Sequence, residues 1–136
     1  MKHAPFHYKE ILMSALPTIG RFLFAVPMLV FGAMHFMMGQ QMAGMVPIPG
    51  GVFWVYLTGL ALLLAAISIM SGKQAALASG LLALFLVLTA TTVHLPAVMG
   101  GDQAAMSNVL KDFALAGGAL VLMGVFQREG EGASAG

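Results

Sequence analysis

Residues 31–59 read FGAMHFMMGQQMAGMVPIPGGVFWVYLTG and contain no Asp, Glu, Lys or Arg. This stretch ends one apolar segment and begins another. Between them, Gly39, Gly44, Pro47, Pro49, Gly50 and Gly51 forbid a continuous helix. A loop of this length without a formal charge does not belong on a water-soluble surface. His35 stands at its entrance, and Trp54 and Tyr56 open the segment that follows, where the aromatic belt of a membrane interface belongs.

Working outward, the charge-free interval extends from Arg21 to Lys73. A membrane-spanning helix needs about 20 mainly apolar residues, so this interval holds two spans once the Gly/Pro loop is removed. The intervals Lys73–Asp102 and Asp112–Arg128 hold one span each. The spacing therefore predicts an all-α, integral membrane four-helix bundle with spans at about 20–38, 52–71, 74–94 and 109–126. Composition agrees: 60% of the 136 residues are hydrophobic and 8% are charged, against about 25% charged in a soluble domain. Lipid is the solvent for most of such a chain and its first partner.

Other classes fall away quickly. The formal net charge is +1 and no basic run occurs, so there is no nucleic-acid signature. Without cysteine, the chain has no thiol redox chemistry, disulfide or thiolate metal site. No nucleophile elbow, phosphate loop or pair of carboxylates lies within the spans. A stand-alone enzyme is not what this set of residues describes.

Charge also orients the bundle. An even number of spans puts both termini on one side, with the Ser71–Gln74 turn. That side collects Lys2, Lys9, Arg21, Lys73 and Arg128, whereas the other has only Lys111, near Asp102 and Asp112. The positive-inside rule then predicts cytoplasmic termini, in what reads as a bacterial cytoplasmic (inner) membrane. Residues 1–19 form a cytoplasmic or interfacial lead-in, for which a short helix interrupted at Pro17 and a frayed segment stand as equal readings. Residues 127–136, ending GEGASAG, have nothing to bury and predict a disordered tail.

Two patterns predict which faces pack. Ala76, Gly80, Ala83, Val87, Ala90 and His94 follow helical steps, a small-residue stripe that lets membrane helices approach closely. Ala114, Gly117, Gly118, Val121 and Gly124 suggest a similar face on the fourth span, with Lys111 on the same side and Ser107 or Asn108 as its cap. Pro96 predicts the end of the third span, and Pro27 a kink in the first.

With this topology, His35 and His94 both lie at the outer ends of their helices, level with Asn108, Lys111 and Asp112. Ionisable groups at a membrane edge either sit in interfacial water or face the bundle, pair and mark function. The second reading assigns His35, His94, Lys111, Asp112 and Asn108, with aromatic Phe31 and Trp54, to one ligand-binding pocket on the outer side. The surrounding Met34, Met37, Met38, Met42 and Met45 invite a Cu(I) site, but methionine is also the adaptable filler of apolar helices. No metal site is assigned.

The pattern Arg21…Phe31-Gly32…His35-Phe36, then Val46-Pro47 and Val55-Tyr56-Leu57-Thr58-Gly59, resembles the DoxX-like membrane proteins. So does Asn108-Val109-Leu110-Lys111-Asp112…Gly117-Gly118-Ala119-Leu120. The likeness covers about residues 20–126 and implies a four-helix membrane bundle. Some relatives are subunits of membrane oxidoreductases, including a thiosulfate:quinone oxidoreductase, or accompany redox-defence enzymes; distant eukaryotic ones act as chaperones or cargo receptors. The resemblance thus implies an accessory subunit of a membrane redox system, with quinone as the candidate ligand and a redox partner subunit beside it. The alternative is a non-catalytic membrane module that binds a partner protein or lipid and stabilises a complex, or a homo-oligomer. A small-molecule carrier using the Pro27 kink is a third reading.

Overall fold

A computed structural model describes residues 4–135. Lys2, used in the charge argument, lies outside the described residues. Among the described residues every regular element is helical: α1 (Ala4–Met37), α2 (Gly39–Ala43), α3 (Val52–Ser71), α4 (Ala75–Thr89), α5 (Leu95–Met99) and α6 (Ala105–Ser134). A π-helical turn, Ala90–His94, joins α4 to α5 without a break. Four helical stretches are long and apolar enough to cross a membrane: α1, α3, the α4–α5 rod and α6.

The helices alternate in direction. Arg21, midway along α1, approaches Gly72 just past the end of α3, and Gly32 meets Gly59, so α1 and α3 are antiparallel. Gly80 meets Met123 and His94 meets Asp112, so α4 and α6 are antiparallel. Phe24 lies against Gly118 and Phe31 under Lys111, which brings α6 back beside α1. Both termini therefore leave from the end that carries the α3–α4 turn, and the 38–51 and 100–104 loops share the opposite end. That turn is tight because α3 stops at Gly72, whose φ of 76° is left-handed and whose N–H donates to the Ser68 carbonyl. The Ser68 hydroxyl reaches across to the Lys73 carbonyl.

The core is made of small and medium side chains: Ala25 and Met28 of α1, Leu62, Ala66 and Ile69 of α3, Leu82, Ala83 and Leu86 of α4, Ala116 and Ala119 of α6. Membrane helices gain little from burying leucine away from lipid, so close approach through small residues does the packing. Leucines 64, 77, 81, 84, 88 and 120 accordingly face outward.

Several sequence expectations change. The α3 boundaries coincide with the 52–71 span. Helix α1, however, runs unbroken through Pro17 and Pro27 for 34 residues, about 51 Å at 1.5 Å per residue, so it overhangs a hydrocarbon core of about 30 Å. The interruption at Pro17 is not present. Helix α6 stays helical to Ser134, across the segment expected to be a disordered tail. It begins at Ala105, where Asp102 Oδ1 accepts the N–H groups of Ala104 (3.0 Å) and Ala105 (3.3 Å); Ser107 instead bonds back to the Ala104 carbonyl, so neither Ser107 nor Asn108 is the cap.

Pro96 does not end the third span either. It removes the donor that a regular helix would offer to the Thr92 carbonyl. The chain answers with one wide turn, in which the Leu95 N–H reaches the Ala90 carbonyl. The hydroxyls of Thr89, Thr91 and Thr92 return to the carbonyls of Phe85, Val87 and Leu88, supplying donors to carbonyls around this turn.

The face expected to pack on α6 is also corrected. Ala114, Gly117 and Val121 are exposed, and Asp112, Ala116 and Ala119 are buried instead. The buried face lies nearly half a turn around the helix from the glycine-bearing one, because a carboxylate at 112 needs the interior more than a glycine at 117 does.

Candidate functional site

All four spans contribute to one polar cavity at the loop-bearing end of the bundle. Its volume is about 70 Å³. His35 comes from the end of α1, Thr58 from the first turns of α3, Thr89 and His94 from the α4 end and the π turn, and Lys111 and Asp112 from the start of α6. Phe31, Phe85 and Leu115 close its sides.

Each polar member is held by a local contact. His35 Nδ1 lies 2.7 Å from the Phe31 carbonyl, one turn back in its own helix. A carbonyl only accepts, so Nδ1 carries the proton and, in the neutral ring, Nε2 is left as an acceptor. Close helix packing fixes the ring's base: a Cβ built on Gly59 would lie 2.8 Å from His35 Cβ. On the other side, Asp112 is 3% exposed and is flanked by two bases. His94 Nε2 stands 3.4 Å from Oδ2 and Lys111 Nζ 3.6 Å from Oδ1. Lys111 also rests 4.8 Å above the Phe31 ring, a cation–π contact that ties α6 to α1.

The wide turn is part of this arrangement. It inserts one extra residue just before His94, re-aiming the helix where it passes Asp112. Chemically, the cavity offers an acceptor from His35, a carboxylate, an ammonium and two threonine hydroxyls. It can hold a small molecule that both donates and accepts hydrogen bonds.

Of the residues expected in the pocket, Phe31, His35, His94, Lys111 and Asp112 line it. Asn108 does not line it and takes only a long 3.5 Å contact from Lys111 Nζ. Trp54 is elsewhere: its Nε1 donates to the Pro49 carbonyl at 2.9 Å and pins the charge-free loop to α3. Phe36 likewise stacks on Tyr56, with centroids 5.6 Å apart, and not on the cavity. Of the methionines among the described residues, only Met28 reaches the lining; Met34, Met37, Met38 and Met45 are exposed. Among the described residues no three His, Asp or Glu side chains cluster at metal-ligand spacing. Sequence reasoning missed Thr58 and Thr89. The available signal was register: Thr58 lies one residue before the close-packed Gly59, and Thr89 five residues before His94.

No family model, curated protein or solved structure matches the chain. The functional reading therefore rests on this geometry and on the short motifs quoted above.

Proposed function

We propose that the protein is an accessory subunit of a membrane redox system that holds a small hydrogen-bonding ligand in the cavity between His35, His94, Lys111 and Asp112. The observation that carries the ligand-binding part is the convergence of polar side chains from all four spans on one cavity of an otherwise apolar bundle. The redox part rests on the resemblance to DoxX-like proteins. No side chain here carries electrons, so a partner subunit or a bound cofactor supplies that capacity.

The quinone expected from the resemblance does not fit the cavity in this arrangement. A pocket of about 150 Å³ is of the size that binds benzene, and this one has less than half that volume. The ligand proposed is accordingly smaller than a quinone ring. A second reading, the non-catalytic module that binds a partner protein, is favoured by the filled core and by the outward Ala114, Gly117 and Val121 face of α6.

Gentle purification from the native membrane, followed by mass spectrometry of co-purifying small molecules and proteins, separates these readings. A polar ligand lost from the His35→Ala, His94→Ala double variant, together with a redox partner, is expected. Recovery of a lone homo-oligomer with phospholipid only would replace the proposal with the module.

We infer that both termini face the cytoplasm across a bacterial inner membrane, from Lys9, Arg21, Lys73 and Arg128 at their end of the bundle. The chain has no native cysteine, so single cysteines report cleanly. An impermeant maleimide added outside is expected to label Gly44→Cys and Gly101→Cys but not Gly72→Cys. The reverse pattern would invert the topology.

A further inference from the structure

The inner end of the bundle holds a cation without a counter-ion. Arg21 packs its guanidinium over Phe126 (6.0 Å) and Phe22 (5.5 Å), partly withdrawn from solvent. Its Nε is buried and has no hydrogen-bond partner among the described residues. No Asp or Glu among the described residues forms an ion pair with it or with Lys73. A guanidinium with a buried, unpaired nitrogen is costly unless an anion offsets it. The side chain reaches toward the α3–α4 turn, with Nη1 3.9 Å from the point where a Gly72 Cβ would sit, and Lys73 follows directly in that turn.

A second feature starts at the same turn. A groove of about 340 Å³ runs between α3 and α4 on the outer surface. It is walled by Leu64, Leu77, Leu81 and Phe85, and its polar side chains, Ser68 and Gln74, lie at the turn end. From Gln74 to Phe85 is 11 residues of helix, about 16 Å. That is about half of a hydrocarbon core of about 30 Å, the depth of one leaflet. Cations at the headgroup level and an apolar groove one leaflet long fit a single kind of molecule.

We propose that this is a site for an anionic phospholipid of the leaflet nearest the termini, with its phosphate held by Arg21 and Lys73 and one acyl chain lying in the α3–α4 groove. The phosphate gives the guanidinium its missing acceptors, in the bidentate manner arginine favours. The chain in the groove distinguishes the site from simple attraction to a charged surface.

The test uses native mass spectrometry and thermal unfolding of the purified full chain in detergent, with phosphatidylglycerol, phosphatidylcholine or inorganic phosphate added. Phosphatidylglycerol is expected to remain bound and to raise the unfolding temperature. The choline lipid is expected to bind several-fold more weakly, and inorganic phosphate to give no stabilisation. From the usual strength of basic residues at an anionic surface, Lys73→Gln should weaken phosphatidylglycerol binding about 5-fold, and Arg21→Gln with Lys73→Gln about 25-fold. Lys73 is in an exposed turn, so its variant keeps the test valid if Arg21→Gln fails to fold. Leu77→Trp, at an outward position, should also weaken binding by filling the groove with no change of charge. Equal binding of the two lipids, equal stabilisation by inorganic phosphate, or undiminished binding in Lys73→Gln and Leu77→Trp would overturn the proposal.

Discussion

Gly59→Val is expected to cost more stability than any other single substitution considered, about 3 kcal/mol or more in overpacking. Helices α1 and α3 cross at Gly32 and Gly59 with their backbones in near contact. A Cβ on Gly59 would lie 2.8 Å from His35 Cβ and 3.0 Å from the Gly32 carbonyl oxygen, and one on Gly32 would lie 3.0 Å from the Gly59 carbonyl oxygen. Backbone cannot move aside as a flexible side chain can, so the helices must separate. Gly59→Ala should fall between the wild type and valine. Gly117→Ala supplies the control, because nothing lies within 4 Å of its added methyl. Unfolding in detergent by stepwise addition of a denaturing surfactant measures all three. Near-equal stability of Gly59→Val and Gly117→Ala would mean that α1 and α3 do not cross at these glycines. The separation should also displace His35, so ligand retention is expected to fall together with stability.

Asp112→Leu is expected to have the second largest effect, a loss of about 2 kcal/mol, because it removes a buried carboxylate that answers two bases. The value lies below the range of about 3–5 kcal/mol for broken buried pairs for a structural reason. Lys111 is 41% exposed on its side chain and can turn to the headgroups, and His94 can remain neutral. Asp112→Asn keeps the shape and a polar partner for His94, and should lose about half as much. If the His94–Asp112 contact is energetically real, the double variant His94→Leu, Asp112→Leu should be more stable than the sum of the two single losses allows. Strict additivity would mean that the 3.4 Å contact carries no coupling.

The fold was legible in the sequence because the bilayer imposes a length and an absence of charge that are easy to read. Arg21, Lys73, Asp102 and Arg128 bracket the apolar stretches almost by themselves. What was less legible were features set by neighbours in space. Pro96 looks like a helix stop until a wide turn and threonine hydroxyls accommodate it. Gly117 looks like a packing position until the burial of Asp112 fixes how α6 is rotated. Trp54 sits at the right level for the pocket, but its N–H is taken by Pro49. The shared depth of His35, His94, Lys111 and Asp112 could be read along the chain. Their convergence on one cavity depends on α6 returning beside α1, a contact that no local pattern encodes.

That return is the most direct thing to measure. Phe31→Cys and Lys111→Cys, placed in the cysteine-free chain, sit where the Lys111 ammonium lies 4.8 Å from the Phe31 ring. In native membranes a short thiol cross-linker is expected to join them within one chain, giving a linked α1–α6 peptide pair by mass spectrometry. It should give no such pair between Phe31→Cys and Phe126→Cys, which lie toward opposite ends of the bundle. Failure of the first pair to link while both of its cysteines still react with maleimide, or efficient linkage of the second pair, would contradict a cavity shared by all four spans.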